Sequence, residues 1–242
     1  MTSIGIYGSL GRMGQAIAAV APEMNARIAG GADAKDDPAT VTAGADVLID
    51  FSAPQALEAH LAAARAAGKP IVVGTTGLSP QHHALIDDAA RDIAVLQTGN
   101  TSLGIGLLQR LVREAAQQLG ADWDIEILEM HHRHKVDAPS GTALMLGHAA
   151  AAGMGTTLAE AEVTDRAGLT GARASGTIGM ASLRGGSVVG DHSVVFAAPG
   201  ERIEITHRAD DRAIFARGAV RAALWLAGKP AGRYTMDQVL GG

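Results

Sequence analysis

The chain has 242 residues, a formal net charge of −5 and no cysteine. That length suits one large domain or two small ones around a sizeable core. The charge argues against broad nucleic-acid binding, which needs a basic face, and the missing cysteines exclude disulfides, thiolate metal sites and a cysteine nucleophile. No apolar run nears the roughly 18 residues of a membrane span, and the start lacks the basic-then-apolar pattern of an export signal. A cytoplasmic protein with no membrane segment is therefore expected. The sequence is 47% hydrophobic, but 48 of its residues are alanine, 31 are glycine and only 3% are aromatic. The core must come from Leu, Ile, Val and Ala on closely packed elements.

In chain order, residues 4–7 read as a buried strand, followed by a glycine-rich turn and an Ala-rich helix over 12–21. Strands follow at 27–31, 47–51, 70–73 and 93–97, with helices at 54–67 and 79–90 between the later ones. Pro54 before and Gly68 after one helix, and Ser79-Pro80 opening the other, are the expected end signals. Such alternation predicts a parallel sheet with right-handed crossovers. After about residue 100 the pattern changes. A long helix (103–119), a strand (123–130), a polar loop (131–139) and a helix (140–152) precede three strand runs at 177–183, 187–196 and 201–206. No helix interrupts those runs, so an antiparallel or mixed sheet is expected, with a closing helix at 211–227. The fold class predicted is α/β, with a Rossmann-type parallel-sheet domain (1–102 plus 212–242) and a second α+β domain (103–211). No internal repeat or low-complexity linker is evident.

Four features carry chemistry. The turn Gly8-Ser9-Leu10-Gly11-Arg12-Met13-Gly14 lies directly after the first strand and opens a helix. Glycines there permit a tight turn and close approach to a pyrophosphate, and the helix N-terminus presents free N–H groups to that anion. An acidic residue some 20 positions on binds the ribose hydroxyls of NAD, and Asp33 lies in that window. Arg12 and Lys35 are cations suited to the 2′-phosphate of NADP. Ligands of open α/β sheets bind beyond the carboxyl ends of the strands. Phe51-Ser52, Gly74-Thr75-Thr76-Gly77 and Thr98-Gly99-Asn100-Thr101 all fall on that rim, where they suit a nicotinamide ribose or carboxamide.

The fourth feature runs from Glu129 through His131-His132-Arg133-His134-Lys135-Val136-Asp137-Ala138-Pro139 to Ser140-Gly141-Thr142-Ala143. Three of the nine histidines and one of the four lysines fall within five residues. A metal site, a solvated basic loop and a site for a dianionic substrate with His or Lys as proton donor all fit this composition. Successive residues of an extended loop point apart, which counts against the metal. Histidine titrates near neutral pH and can deliver a proton there.

Together these motifs resemble the dihydrodipicolinate (4-hydroxy-tetrahydrodipicolinate) reductase family, with further matches at Gly190-Asp191-His192, residues 200–207 and residues 219–226. The resemblance implies NADH- or NADPH-dependent reduction of a cyclic dicarboxylate in lysine and diaminopimelate biosynthesis, and a homotetramer joined through the second domain's sheet. It implies His131 as proton donor and acceptor, with Lys135 as a second donor or polarising cation. His132, Ser140, Gly141 and Thr142 would hold the substrate carboxylates. Gly8 to Met13, Asp33, Phe51, Gly74 to Thr76 and Thr98 to Thr101 would hold the cofactor, and no metal is implied. The chain departs from the family in a shortened stretch at 35–45, in Ala34 where good NADPH users often carry Arg, and in Thr101 where the family has Phe. Two rivals are weighed against this reading. A semialdehyde dehydrogenase needs the absent cysteine; a non-catalytic NAD(P)-binding protein on the same fold predicts a degraded His–Lys loop, and this loop is intact.

Overall fold

A computed structural model describes residues 1–241. The chain divides into two compact units: Met1–Leu103 with the C-terminal stretch from Arg212, and Gly104–Asp211. The first contains β1 (Thr2–Tyr7), α1 (Arg12–Val20), β2 (Ala26–Ala32), α2 (Ala39–Thr42), β3 (Val47–Asp50), α3 (Leu57–Ala66), β4 (Ile71–Val73), α4 (Pro80–Ala89) and β5 (Ala94–Gln97). The helix α5 (Leu103–Leu119) then enters the second unit, which continues with β6 (Asp124–His131), α6 (Gly141–Met154), α7 (Leu158–Ala161), β7 (Glu162–Val163), β8 (Ile178–Arg184), β9 (Gly190–Ala198) and β10 (Glu201–Ala209). The chain ends in α8 (Ala213–Leu226), β11 (Gly232–Tyr234) and α9 (Met236–Val239).

The first unit's sheet has the order β11-β5-β4-β3-β1-β2, with every pairing parallel. Strands buried on both faces need apolar residues at consecutive positions, and successive side chains then feed opposite cores. Ile4, Ile6, Val47, Ile49, Val72 and Leu96 pack on one side with α1 and α8, through Ile17, Val20 and Ala219. Tyr7, Leu48, Ile71, Val73 and Val95 pack on the other with α3 and α4, through Leu57, Leu61 and Ile86. The strand order reverses between β1 and β3, which makes their carboxyl ends the switch point where such sheets bind ligands.

The second unit's sheet has the order β10-β9-β6-β8-β7. It is mixed: β6–β8 and β7–β8 are parallel, β6–β9 and β9–β10 antiparallel. One face packs Ile125, Ile127, Ile178, Val194 and Phe196 against α5 and α6, through Val112, Leu146 and Ala150. The other face leaves Leu128 and Leu183 exposed.

Two differences from the sequence-based expectation are local. The helix expected from residue 54 starts with a 3-10 turn, Pro54–Ala56, and is α-helical from Leu57. The elements α2, α7, β7, β11 and α9 are two to four residues long, too short to show a periodic pattern. No helix among the described residues is long and apolar enough to cross a membrane.

Candidate active site

In the first unit, backbone crowding shapes the glycine-rich turn. Gly8 has φ +80°, and a Cβ there would lie 2.4 Å from the Phe51 carbonyl oxygen, so β1 and β3 can approach at the switch point only with glycine. A Cβ on Gly14 would lie 2.3 Å from the Gly8 carbonyl oxygen, which brings α1 down onto the turn. Gly11 is the N-cap of α1 and supplies no side-chain hydrogen bond, so the helix opens on unshielded amides. Asp33 closes the turn: its carboxylate accepts from Ser9 Oγ at 2.6 Å and from the Leu10 amide at 3.1 Å. Leu10, Arg12 and Lys35 are exposed, and among the described residues neither cation has a carboxylate partner. Met13 is half-buried against the core on the α1 side.

The rim continues through backbone hydrogen bonds that extend the parallel ladder: Phe51 N–H to Tyr7 O, Gly74 N–H to Asp50 O and Thr98 N–H to Val73 O. The Phe51 ring covers Gly74, where any Cβ would collide with it. Thr75 is buried, and its hydroxyl donates to Asp50 Oδ1 at 3.0 Å; Thr76 is exposed. Thr98 Oγ1 donates to Asn100 O at 2.8 Å, and Thr101 Oγ1 donates to Phe215 O at 2.7 Å. Both hydroxyls thus shape the loop after β5, leaving Gly99 exposed and Asn100 half-buried. Sequence reasoning missed Asp50 and His60, which support this rim from below.

In the second unit, the central feature is Glu129. On β6 it follows Ile125 and Ile127 on the core face, so alternation buries its carboxylate. A buried carboxylate must collect donors. Arg184, the last residue of β8 and the register partner of His131, supplies two hydrogen bonds of 2.8 Å. His131 Nδ1 supplies a third at 2.6 Å, and the Ser140 amide a fourth at 3.3 Å. Burial pushes the Glu129 carboxyl up, but the Arg184 and His131 hydrogen bonds outweigh it and bring it down to about 2. An ionised carboxylate only accepts, so the proton between the pair sits on Nδ1, and Nε2 is the nitrogen left for other work. Nε2 faces Gly190, where a Cβ would lie 3.0 Å away.

Ser140 caps α6, accepting the Ala143 N–H at 3.2 Å, and its hydroxyl also meets His192 Nε2 at 3.0 Å. It is buried at the helix start, with Gly141 and Thr142 as the first helical residues. His192 stands edge-on to His131, with ring centroids 5.2 Å apart. Burial, then the charge of His131, pushes its pKa down to about 4, so it is neutral at neutral pH. Lys135 Nζ pairs with both oxygens of Asp137 at 2.8 Å. His132 is half-buried, its ring 6.3 Å from that of His134. No group of three or more His, Cys, Asp or Glu among the described residues is placed to hold a metal ion. Sequence reasoning assigned no role to Glu129, Arg184 or His192. The two-residue spacing of Glu129 and His131 on one strand was the signal for the first; Arg184 lies 55 residues away and gave none.

The depressed pKa values set the direction of a pH effect. A group held below its ordinary value stabilises the fold above that ordinary value, and the stabilisation is lost as the pH falls through the folded value. For His192 the window runs from 6.5 down to about 4, and for Glu129 from 4.5 down to about 2. Glu129→Gln is expected to lose on the order of 2 kcal/mol at pH 7, because Arg184 and His131 lose a charged acceptor. Its stability should also lose the share of the pH dependence below 4.5 that Glu129 contributes. Denaturant unfolding from pH 7 to pH 3 checks this; parallel curves for the variant and the parent chain would contradict it.

The comparisons with known proteins agree across the whole chain. The family model described as "Dihydrodipicolinate reductase, N-terminus" matches residues 2–101, and "Dihydrodipicolinate reductase, C-terminus" matches residues 104–240. A protein of Zymomonas mobilis named 4-hydroxy-tetrahydrodipicolinate reductase is 53% identical over 98% of this chain and 96% of its own. One of Mesorhizobium japonicum, named 4-hydroxy-tetrahydrodipicolinate reductase 1, is 57% identical over 85% of this chain and 76% of its own. The fold is similar to that of a dipicolinate-bound dihydrodipicolinate reductase from a Paenisporosarcina species, with a TM-score of 0.76, 21% identity and 97% of each chain covered. The chain therefore belongs to the dihydrodipicolinate reductase family.

Proposed function

We propose that this chain reduces 4-hydroxy-tetrahydrodipicolinate to tetrahydrodipicolinate with NADH or NADPH, in lysine and diaminopimelate biosynthesis, using His131 as acid and base with Lys135 assisting. The observation that carries the mechanism is the Glu129–His131 hydrogen bond, which fixes the imidazole with Nε2 free. Per turnover a hydride and a proton enter and a water leaves. The residues of the first unit fit a dinucleotide: Gly8 leaves the space that a Cβ would fill, α1 opens on unshielded amides, and Arg12 and Lys35 are exposed cations. When bound, the dinucleotide supplies the hydride.

The protein's own share is charge and position. His131 exchanges the proton at Nε2, and Glu129 stabilises the imidazolium that forms while it holds the ring's orientation. The first-turn amides of α6 at Gly141 and Thr142, with His132 and Lys135, receive the two carboxylates of the substrate. Ser140 acts indirectly, by fixing that turn. Lys135 exchanges Asp137 for a substrate carboxylate. Asp137 is largely exposed, and pairs of that kind are worth about 1 kcal/mol or less, so the exchange costs little.

In this reading residues 1–102 with 212–242 bind the dinucleotide, and residues 103–211 bind the substrate and assemble the homotetramer. The open sheet face carrying Leu128 and Leu183 supports the assembly. Light scattering of the whole chain should give a four-chain mass, reduced by Leu183→Asp; a monomeric parent chain would contradict it. His131→Gln is expected to lower kcat by roughly 10²- to 10⁴-fold while NADH binding stays nearly intact. Lys135→Ala should also lower kcat. Steady-state kinetics with substrate supplied by the coupled synthase checks both. Unchanged turnover in His131→Gln sinks the proton-transfer role. Absence of substrate-dependent oxidation of either dinucleotide by the parent chain favours the non-catalytic binding protein.

A further inference from the structure

The first unit contains a second buried carboxylate that the proton chemistry does not use. Asp50, the last residue of β3, has no solvent exposure. Its Oδ1 accepts from the Ser52 amide at 2.9 Å, from Ser52 Oγ at 2.6 Å and from Thr75 Oγ1 at 3.0 Å. Its Oδ2 accepts from His60 Nδ1 at 2.9 Å. His60 reaches across from α3 and stacks on Tyr7, the last residue of β1, with ring centroids 4.0 Å apart and planes 13° apart. The Tyr7 hydroxyl in turn donates to Pro38 O in the segment after β2. One cluster therefore ties together the ends of β1, β3 and β4 and the chain after β2.

A buried polar cluster is a poor source of stability, since apolar residues of similar volume do as well or better. What such a cluster provides is position. The side-chain hydrogen bonds of Asp50 end on rim segments or on His60, and the Ser52 amide also reaches Thr75 Oγ1 at 3.1 Å. The segments held are Phe51-Ser52 and Gly74-Thr75-Thr76, the part of the rim suited to the nicotinamide side of a dinucleotide. The glycine-rich turn, suited to the pyrophosphate, is held separately by Asp33 through Ser9 and Leu10.

We propose that Asp50 and His60 are positioning residues that hold the Ser52 and Thr75 segments in the geometry that binds the nicotinamide half of the cofactor. This rests on the dinucleotide reading above. The two roles of the His60 ring can be separated by substitution. His60→Phe keeps a ring against Tyr7 and removes the donor to Asp50; His60→Asn restores a donor near the place of Nδ1 and removes the stack. With the full chain, titrations with NADH and with ADP-ribose measure the whole rim and its pyrophosphate half. His60→Phe is expected to weaken NADH about 10-fold, equivalent to about 1.4 kcal/mol, and to leave ADP-ribose within about 2-fold. Its kcat at saturating NADH should stay within about 3-fold of the parent, and His60→Asn should recover most of the NADH affinity. Ser52→Ala, which removes a hydroxyl donor to Asp50, repeats the NADH and ADP-ribose comparison should His60→Phe not fold. Parent-like NADH affinity in His60→Phe overturns the proposal, as do equal losses for both probes or failure of His60→Asn to rescue. If the parent chain binds neither probe, the dinucleotide reading itself fails, and the proposal with it.

Discussion

A carboxylate shut away from water has to find its hydrogen bonds inside the protein, and the second unit is arranged around that requirement at Glu129. Strand alternation puts it on the core face of β6, and donors then converge on it: Arg184 and Ser182 on β8, His131 two residues on, and the amide that starts α6. Each donor is fixed as a consequence. The guanidinium ties the end of β8 to β6, the amide fixes where α6 begins, and the imidazole is turned so that Nε2 is free. A group that looks like an electrostatic liability in the core thus organises the residues that the family resemblance ties to chemistry.

The first unit repeats the device on a different fold. Asp50 ends a central strand of the parallel sheet as Glu129 lies near the end of the central strand of the mixed one, and each accepts from a histidine Nδ1. The outcomes differ because the surroundings differ. His131 keeps about an eighth of its side chain open to solvent, with Nδ1 engaged by Glu129. His60 lies beneath the rim, flat against Tyr7, and its influence passes through Ser52 and Thr75. Burial raises the Tyr7 hydroxyl pKa, with the charges of Asp50 and Asp37 adding to it, so the ring partner of His60 stays uncharged.

Much of the architecture was legible because it is written locally. The helix expected over 103–119 is α5 residue for residue, Ser79 and Ser140 cap the helices they were expected to open, and the uninterrupted strand runs after residue 177 became a mixed sheet. The glycine-rich turn and the His-rich loop stood out for the same reason: their chemistry is concentrated in a few consecutive positions. The supports did not. Arg184 and Glu129 are 55 residues apart, and only the parallel register of β6 and β8 brings them together. Composition says nothing of which hydroxyls the chain already engages: Ser140 accepts the Ala143 amide, Thr98 donates to the Asn100 carbonyl and Thr101 to the Phe215 carbonyl.

The central claim is that Glu129 keeps the His131 proton on Nδ1 and leaves Nε2 as the exchanging nitrogen. Nitrogen-15 NMR of the whole chain, with the His131 signals assigned by comparison with His131→Gln, reads this directly as the pH is raised. The expected result is that Nε2 gives up its proton while Nδ1 keeps its own, and that Glu129→Gln weakens this preference. Loss of the proton from Nδ1 with retention at Nε2 would contradict the account.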